Sequence, residues 1–94
     1  MNNENFGSAI EELKAGRKVW RTGWNGKNMW LILADGSKNI STTEGTPYHK
    51  AGLINNVNIN PHIDMMTASG SMQPGWLASQ SDMLAEDWCS DRVY

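Results

Sequence analysis

The apolar residues at the start of the chain recur with helical spacing. Three of them stand at i, i+4 and i+7, on one face of a helix: Phe6, Ile10 and Leu13. Ser8 followed by Glu11 fits a capping box at the helix start, and Gly16 fits the first residue beyond its end. The pattern therefore predicts a helix of about three turns that packs on a sheet.

Short apolar stretches predict strands after this helix. Residues 19–21 and 29–34 have strand composition and enclose a Gly- and Asn-rich turn. Asp35-Gly36 is a two-residue hairpin signal, so residues 37–41 are predicted to return along the second strand.

The second half of the chain is less evenly specified. Residues 42–60 carry no clear period, which is typical of a long functional or mobile loop. Residues 62–67 alternate as a strand, and Ser69-Gly70 turns the chain back through 71–73. Ser79 or Ser81 caps a short helix that runs through residue 85, and 88–94 form a last strand. We expect one α+β domain over 1–94, with a small antiparallel sheet, an N-terminal helix and a short C-terminal helix.

Composition and charge narrow the classes of function. The formal net charge is −2 and no Lys/Arg stripe occurs, which argues against binding of long DNA or RNA but leaves a small anionic ligand open. Five Trp in 94 residues suit cores, interfaces and base-stacking sites alike. The longest apolar run, 29–34, is too short to span a membrane, and the single Cys cannot form an intramolecular disulfide, so we expect a cytosolic protein.

Catalytic groups do not form a constellation in the sequence. His49 and His62 lack metal-type spacing, and Cys89 has no basic neighbour that would lower the pKa of its thiol. Asp64 and Asp82 would be able to meet as a carboxylate pair, but one cap and one hydrogen-bond acceptor is the preferred interpretation. We therefore predict a binding protein that is not an enzyme and needs no metal or cofactor.

Two segments have the composition of recognition sites. Residues 21–30 place Trp24 beside Arg21 and Lys27, a set that can stack a base and hold a phosphate. Trp beside a turn is also a common core or interface residue. Residues 76–88 offer Ser, Gln and Asp side chains at a helix start. The alternative for that segment is a capped amphipathic helix with three apolar side chains in the core: Leu77, Met83 and Leu84.

Five stretches taken together resemble the second type of Thoeris anti-defence protein, a family of phages and prophages. They are Phe6-Gly7, residues 13–19, residues 21–27, residues 61–65 and the long stretch 76–88. The resemblance spans the chain except 42–60, and the last stretch is long and specific. The chain departs from the family pattern at residues 73–75 and in 42–60, both of which would shape a pocket rim.

The resemblance implies a sponge for immune signals. Such proteins bind the cyclic ADP-ribose isomers made by a Thoeris TIR enzyme, without cleaving them, and so block effector activation in the host bacterial cytoplasm. Some members also bind cyclic di- or oligonucleotides of the CBASS immune systems. The family forms homotetramers with pockets at protomer interfaces, so a homo-oligomer is expected for this chain.

A set of ligand-binding residues follows as a hypothesis from the residues and the resemblance. Trp24 and Phe6 would form apolar or stacking walls, and Arg21 with Lys27 would pair with a pyrophosphate. Ribose hydroxyls and the base edge would be read by Asn25, Ser79, Gln80 and Asp82. Asp64 and Met83 complete the set. The remaining tryptophans are assigned mostly to the core or to a subunit interface: Trp20, Trp30, Trp76 and Trp88.

Three rival functions remain open. A small phage hydrolase would degrade the same signal, although the sequence holds no activated nucleophile or metal cluster. A phage structural protein would oligomerise and show no ligand response. A direct inhibitor of a host protein would need an exposed apolar patch.

Overall fold

The computed structural model of the protein describes residues 3–24 and 28–91. Its elements in chain order are α1 (Phe6–Lys14), β1 (Val19–Arg21), a 3₁₀ turn (Thr22–Trp24), β2 (Trp30–Ala34), β3 (Ser37–Ile40), α2 (Pro47–Lys50), β4 (Val57–Ile59), β5 (His62–Met66), β6 (Met72–Gln73), α3 (Gln80–Leu84) and β7 (Trp88–Ser90). This is the expected α+β class, with α1 at the N-terminal end and α3 near the C-terminal end. No helix in the described parts of the chain has the length and apolar content to cross a bilayer.

A five-stranded antiparallel sheet forms the body, in the order β6-β5-β2-β1-β7. Helix α1 packs against β1, β2 and β7, as predicted. The segment before α1 closes the outer edge of β7, where Glu4 and Trp88 exchange backbone hydrogen bonds of 2.9 and 3.0 Å. This bridge ties the start of the chain to its last described strand.

Helix α1 begins earlier than the predicted capping box. The Asn5 side chain accepts a 2.8 Å hydrogen bond from the Ser8 backbone N–H, so Asn5 is the N-cap and the Ser8–Glu11 box is wrong. The earlier start places Phe6 inside the helix, where its ring contacts Trp88. Gly16, with φ +87°, follows the C-cap in the left-handed conformation expected of a helix-ending glycine.

The core lies between α1 and the sheet. Four side chains are fully buried: Leu13, Val19, Leu31 and Trp88. Val19 and Leu31 are directly paired across β1 and β2, so both point toward α1. Because strand side chains alternate between faces, Trp20 and Trp30 point away from α1. This alternation positions the candidate functional site.

The predicted hairpin at Asp35-Gly36 is wrong. Strand β2 is paired on both edges, with β1 on one side and β5 on the other, so β3 has no free edge to join. Strand β3 leaves the body and pairs with β4 in a separate two-stranded sheet. Gly36 permits this departure, since its φ is +78° and a Cβ there would lie 2.1 Å from the carbonyl oxygen of Ile59.

Residues 37–59 form an arm, and beyond the strand predicted at its start the sequence pattern does not specify its structure. It contains β3, α2 and β4, and its tip exposes three large apolar side chains: Tyr48, Leu53 and Ile54. The molecule measures 44 × 26 × 25 Å, and its 15.8 Å radius of gyration exceeds the ~12 Å typical of a compact domain of this length. The protein is therefore elongated.

Ser79 is the N-cap of α3, as predicted, but the apolar side chains predicted to be buried in this segment are exposed. Ser79 and Asp82 form a reciprocal capping box, with both hydrogen bonds at 3.1 Å. Leu77 and Leu84 are 89% and 77% exposed, and Met83 is also exposed, so their assignment to the core is wrong. The helix has only five residues, and its inward positions are taken by Asp82 and the backbone that meets Trp88. Of the last predicted strand, residues 92–94 lie outside the described part of the chain.

Candidate functional site

A cleft of about 560 Å³ opens at the ends of β1 and β2, on the face of the sheet away from α1. Its described lining includes three aromatic side chains, Trp20, Trp24 and Trp30, and two cations, Lys18 and Arg21. Asn28 and Met29 complete it. The volume lies within the range of small-molecule sites, and a lining of aromatic rings and cations suits planar anionic ligands.

Strand alternation explains how these residues come together. Val19 and Leu31 are buried against α1, so Lys18 and Trp20 on one strand share the opposite face with Trp30 on the next. The 3₁₀ turn then brings Trp24 to the end of this face. Arg21, two residues after Val19, lies on the α1 side of β1 and reaches the cleft at the end of the strand.

Arg21 lies at the end of β1, between two carboxylates. Its Nε donates a 2.9 Å hydrogen bond to Asp87, and its Nη1 donates a 2.9 Å hydrogen bond to Asp82. The hydrogen bond from Arg21 lowers the pKa of Asp87. Burial raises the pKa of Asp82, but hydrogen bonds from Ser79 and Arg21 outweigh it and leave that pKa lowered. The three groups form one partly buried ionic cluster, joined to α3 through Asp82 and to β1 through Arg21.

Asp87 also fastens the turn that carries Trp24. Its carboxylate accepts a 2.7 Å hydrogen bond from the Gly23 backbone N–H, and its carbonyl accepts one of 3.1 Å from the backbone of Thr22. A Cβ at Gly23 would lie 2.9 Å from that carboxylate and 3.2 Å from the Arg21 guanidinium, so a larger residue would have to displace these two side chains. The position of Trp24 in the cleft therefore depends on Asp87.

Trp24 belongs to the core as well as to the cleft. Its ring packs edge-on against Trp88 at 5.4 Å and against Trp76 at 6.4 Å. Phe6 contacts the same cluster through Trp88 at 5.5 Å, and Trp88 donates a 3.0 Å hydrogen bond from Nε1 to the Asp82 carbonyl. Trp24 therefore packs against the core, as the alternative interpretation predicts, and it also lines the cleft; its role in ligand binding stays a prediction.

Lys18 lies over the ring of Trp30, with Nζ 4.9 Å from the ring centroid. This is within the distance of a cation–π interaction. The side chain is exposed, while its backbone is held by Asp91, whose carboxylate accepts a 3.0 Å hydrogen bond from the Lys18 N–H. The ammonium group is therefore kept at the cleft and open to solvent.

The structure gathers some of the predicted site residues at the cleft and places others elsewhere. Arg21 and Trp24 line it, and Asp82 is part of the ionic cluster behind Arg21. Phe6 is behind Trp24 in the aromatic cluster. Gln80 and Met83 are exposed on α3, next to the capping residue Ser79. Asn25 and Lys27 lie outside the described residues.

The Asp64 carboxylate is held by contacts with its own strand, β5, and with the loop after β6. His62 Nδ1 lies 2.6 Å from the carboxylate, and the Gly75 N–H donates to the same carboxylate at 3.0 Å. Burial raises the pKa of Asp64, but these hydrogen bonds leave it lowered. With Asp82 in a capping box and Asp64 accepting hydrogen bonds, the interpretation of these two residues as a cap and an acceptor is confirmed.

Five described cleft residues are absent from the sequence-based set: Lys18, Trp20, Asn28, Met29 and Trp30. The two tryptophans were assigned mainly to a core or an interface, and that assignment misses their place at the cleft. The signal that identifies them is the period of two. Once Val19 and Leu31 are assigned to the core, the residues next to them must face the other side of the sheet.

The described residues show little catalytic chemistry. Within 3–24 and 28–91, no three His, Cys, Asp or Glu side chains come together to hold a metal ion. Cys89 is buried, with its sulfur 3.4 Å from the Thr22 hydroxyl. The cleft offers stacking surfaces, hydrogen-bond donors and positive charge, which are properties of a binding site.

Comparison with known proteins identifies the family. Residues 4–90 match the Thoeris anti-defense 2-like domain. This chain belongs to that family. It is also 41% identical over 83 residues to "Thoeris anti-defense 2" of Bacillus phage SP01, an alignment that covers 88% of this chain and 89% of the relative. Membership supports a role in phage anti-defence, and the family description names that role and no chemical reaction.

Proposed function

We propose that this protein binds and sequesters cyclic nucleotide immune signals without cleaving them, and so keeps them from the effector of a host defence system. The cyclic ADP-ribose isomers of Thoeris are the first candidates, and cyclic di- or oligonucleotides of CBASS are the second. The observation that carries the proposal is the cleft, in which three Trp rings and two cations face a space of about 560 Å³. Membership of an anti-defence family supports it independently.

The cleft chemistry matches the parts of such a ligand. Bases stack on Trp side chains, and each stacked base contributes about 1–3 kcal/mol. Nanomolar affinity corresponds to roughly −12 kcal/mol, so the one base of a cyclic ADP-ribose isomer or the two of a cyclic dinucleotide, with the phosphate contacts of one protomer, would be insufficient alone. A second wall from a neighbouring protomer would enclose the ligand and exclude water.

An exposed apolar surface supports assembly into the expected homotetramer. Leu77, just before α3, and Met83 and Leu84 within it are all exposed. A chain that exposes large apolar side chains to water gains by covering them, and a second copy presents the same side chains. We propose that this surface contributes to the tetramer, and that Ser79 and Gln80 approach a ligand from that side. Size measurement in solution tests the assembly.

Sequestration is favoured over hydrolysis because the cleft offers no group, among the residues that the structure describes, that would attack the ligand. The carboxylates nearest to it, Asp82 and Asp87, are engaged by Arg21 and by backbone N–H groups. A hydrolase would need a free base or a bound metal to activate water. The same engaged carboxylates are well suited to hold the cleft in one shape.

A thermal unfolding titration tests the binding. At a ligand concentration of 100 times Kd, binding to the folded state alone adds about 2.7 kcal/mol, which raises Tm by roughly 10–20 °C in a domain of this size. Trp20→Ala should remove this rise because Trp20 lines the cleft without belonging to the buried core. Tyr48→Ala on the arm is the matched control. Wild-type protein whose Tm ignores both ligand classes would contradict the proposal.

A further inference from the structure

The two cations that line the described part of the cleft have different charge environments. Arg21 pairs with Asp82 and Asp87, both at 2.9 Å, so the cluster holds two negative charges for one positive charge. These side chains are between 12% and 29% exposed, which limits screening of the cluster by water. A phosphate approaching Arg21 would therefore meet a cluster of net negative charge.

Lys18 has the opposite arrangement. Its Nζ lies over the Trp30 ring at 4.9 Å, and within the described residues it makes no ion pair. Its backbone is fixed by two hydrogen bonds with Asp91, one in each direction, of 3.0 and 3.2 Å. The residue is thus anchored at its base, while its charged end has no carboxylate partner in that part of the chain.

We infer that Lys18 is the residue that recognises the phosphate of the ligand, and that Arg21 is a positioning residue that holds the turn of Trp24 against α3. The inference rests on the proposed function and names the group that selects an anionic ligand. An ammonium group binds phosphate as a point charge and does not need the fixed fork geometry of Arg. The Trp30 ring keeps that charge beside the cleft, while the N–H groups of the Lys18 ammonium stay available to donate to a phosphate.

A positioning role for Arg21 differs from the sequence-based hypothesis, which paired Arg21 with the pyrophosphate. Two of its N–H groups are already used, and the carboxylates that use them also hold Gly23 and Ser79. Moving the guanidinium to a ligand would leave both carboxylates without their hydrogen bonds from Arg21. The geometry therefore favours Arg21 as the fixed residue and the Lys18 ammonium as the group that contacts the phosphate.

The test is calorimetric binding of a cyclic ADP-ribose isomer at low and at high salt. The variants are Lys18→Met, Lys18→Arg and Arg21→Gln, with Lys38→Met on β3 as the control for the loss of one exposed positive charge. Lys18→Met should weaken Kd by about 10- to 100-fold and remove most of its salt dependence, since a charge-assisted contact is lost. The Kd of Lys18→Arg should stay within a few-fold of the wild-type value. Lys38→Met should have the Kd and the salt dependence of wild type.

Arg21→Gln separates positioning from recognition. It should lower Tm and weaken binding, yet keep the wild-type salt dependence because the phosphate contact at Lys18 remains. The inference is overturned if Lys18→Met binds as wild type does, or if Arg21→Gln loses the salt dependence while Lys18→Met keeps it. Wild-type protein that binds no cyclic nucleotide would contradict the proposed function, and the inference with it. If instead wild-type protein binds the ligand and Lys18→Met binds it equally well, only the inference is contradicted.

Discussion

Replacing Asp82 by alanine removes a carboxylate that joins two parts of the fold, α3 and β1. The side chain closes the capping box of α3 with Ser79 and accepts a 2.9 Å hydrogen bond from Arg21. Loss of a capping interaction costs about 1 kcal/mol. Loss of a hydrogen bond between charged groups costs about 1.5–3 kcal/mol, and the lower half applies because Arg21 keeps Asp87. The expected destabilisation is therefore about 3 kcal/mol.

That loss is large for a small domain. Native stabilities of roughly 0.05–0.15 kcal/mol per residue imply about 5–14 kcal/mol in total, and 3 kcal/mol lowers Tm by roughly 10–25 °C. Urea unfolding followed by circular dichroism measures the change. Ser81→Ala, an exposed position in the same helix, should leave stability within about 0.5 kcal/mol of wild type. Asp82→Ala with stability as close to wild type as that control would refute the structural role of the cluster.

Three further predictions concern low pH, the turn at Gly36 and the Trp24 side chain. Asp64, Asp82 and Asp87 all have pKa values lowered below 3.8, so each stabilises the fold fully above about pH 5 and loses its contribution as pH falls through its folded value; a urea midpoint as high at pH 3 as at pH 6 would contradict this. Gly36→Ala should destabilise by more than 1 kcal/mol, since the backbone has φ +78° and the new Cβ meets the Ile59 carbonyl, and an unchanged unfolding midpoint would count against this turn between β2 and β3. Trp24→Ala should abolish ligand binding and also lower stability by about 3 kcal/mol through lost contact with Trp88, whereas Trp24→Phe should recover most of the stability. Normal binding by a folded Trp24→Ala protein would remove Trp24 from the site.

Periodicity was sufficient for the body of the fold. The spacing of Phe6, Ile10 and Leu13 predicts α1, and the alternation from His62 predicts β5 with its return in β6. The hairpin at Asp35-Gly36 could not be judged locally, because its failure depends on β5 occupying the edge of β2 from 27 residues later in the chain. Strand pairing between distant segments is a tertiary property that a two-residue turn signal does not contain.

The candidate site was predictable only in part, because some of its contacts join residues that are distant in the sequence. The stretch from Arg21 to Trp24 carries its chemistry in neighbouring residues, so the sequence pattern indicates it. The roles of Arg21 and Lys18 depend on Asp82 and Asp87, which lie more than 60 residues away and decide which cation is paired. Leu77 and Leu84 were assigned to a core because apolar side chains are usually buried, yet α3 has only five residues and begins after Leu77, so the segment has too little inward surface to bury them.

Ligand capture followed by release through heat denaturation measures sequestration directly. Purified protein is mixed with a cyclic ADP-ribose isomer, unbound ligand is removed, the protein is denatured by heat, and the released material is chromatographed. The same steps are run in parallel with a cyclic dinucleotide. Sequestration predicts depletion of at least one ligand class from solution and its recovery, chemically intact, in proportion to the protein. Recovery of altered products, or no depletion of either class, would contradict it.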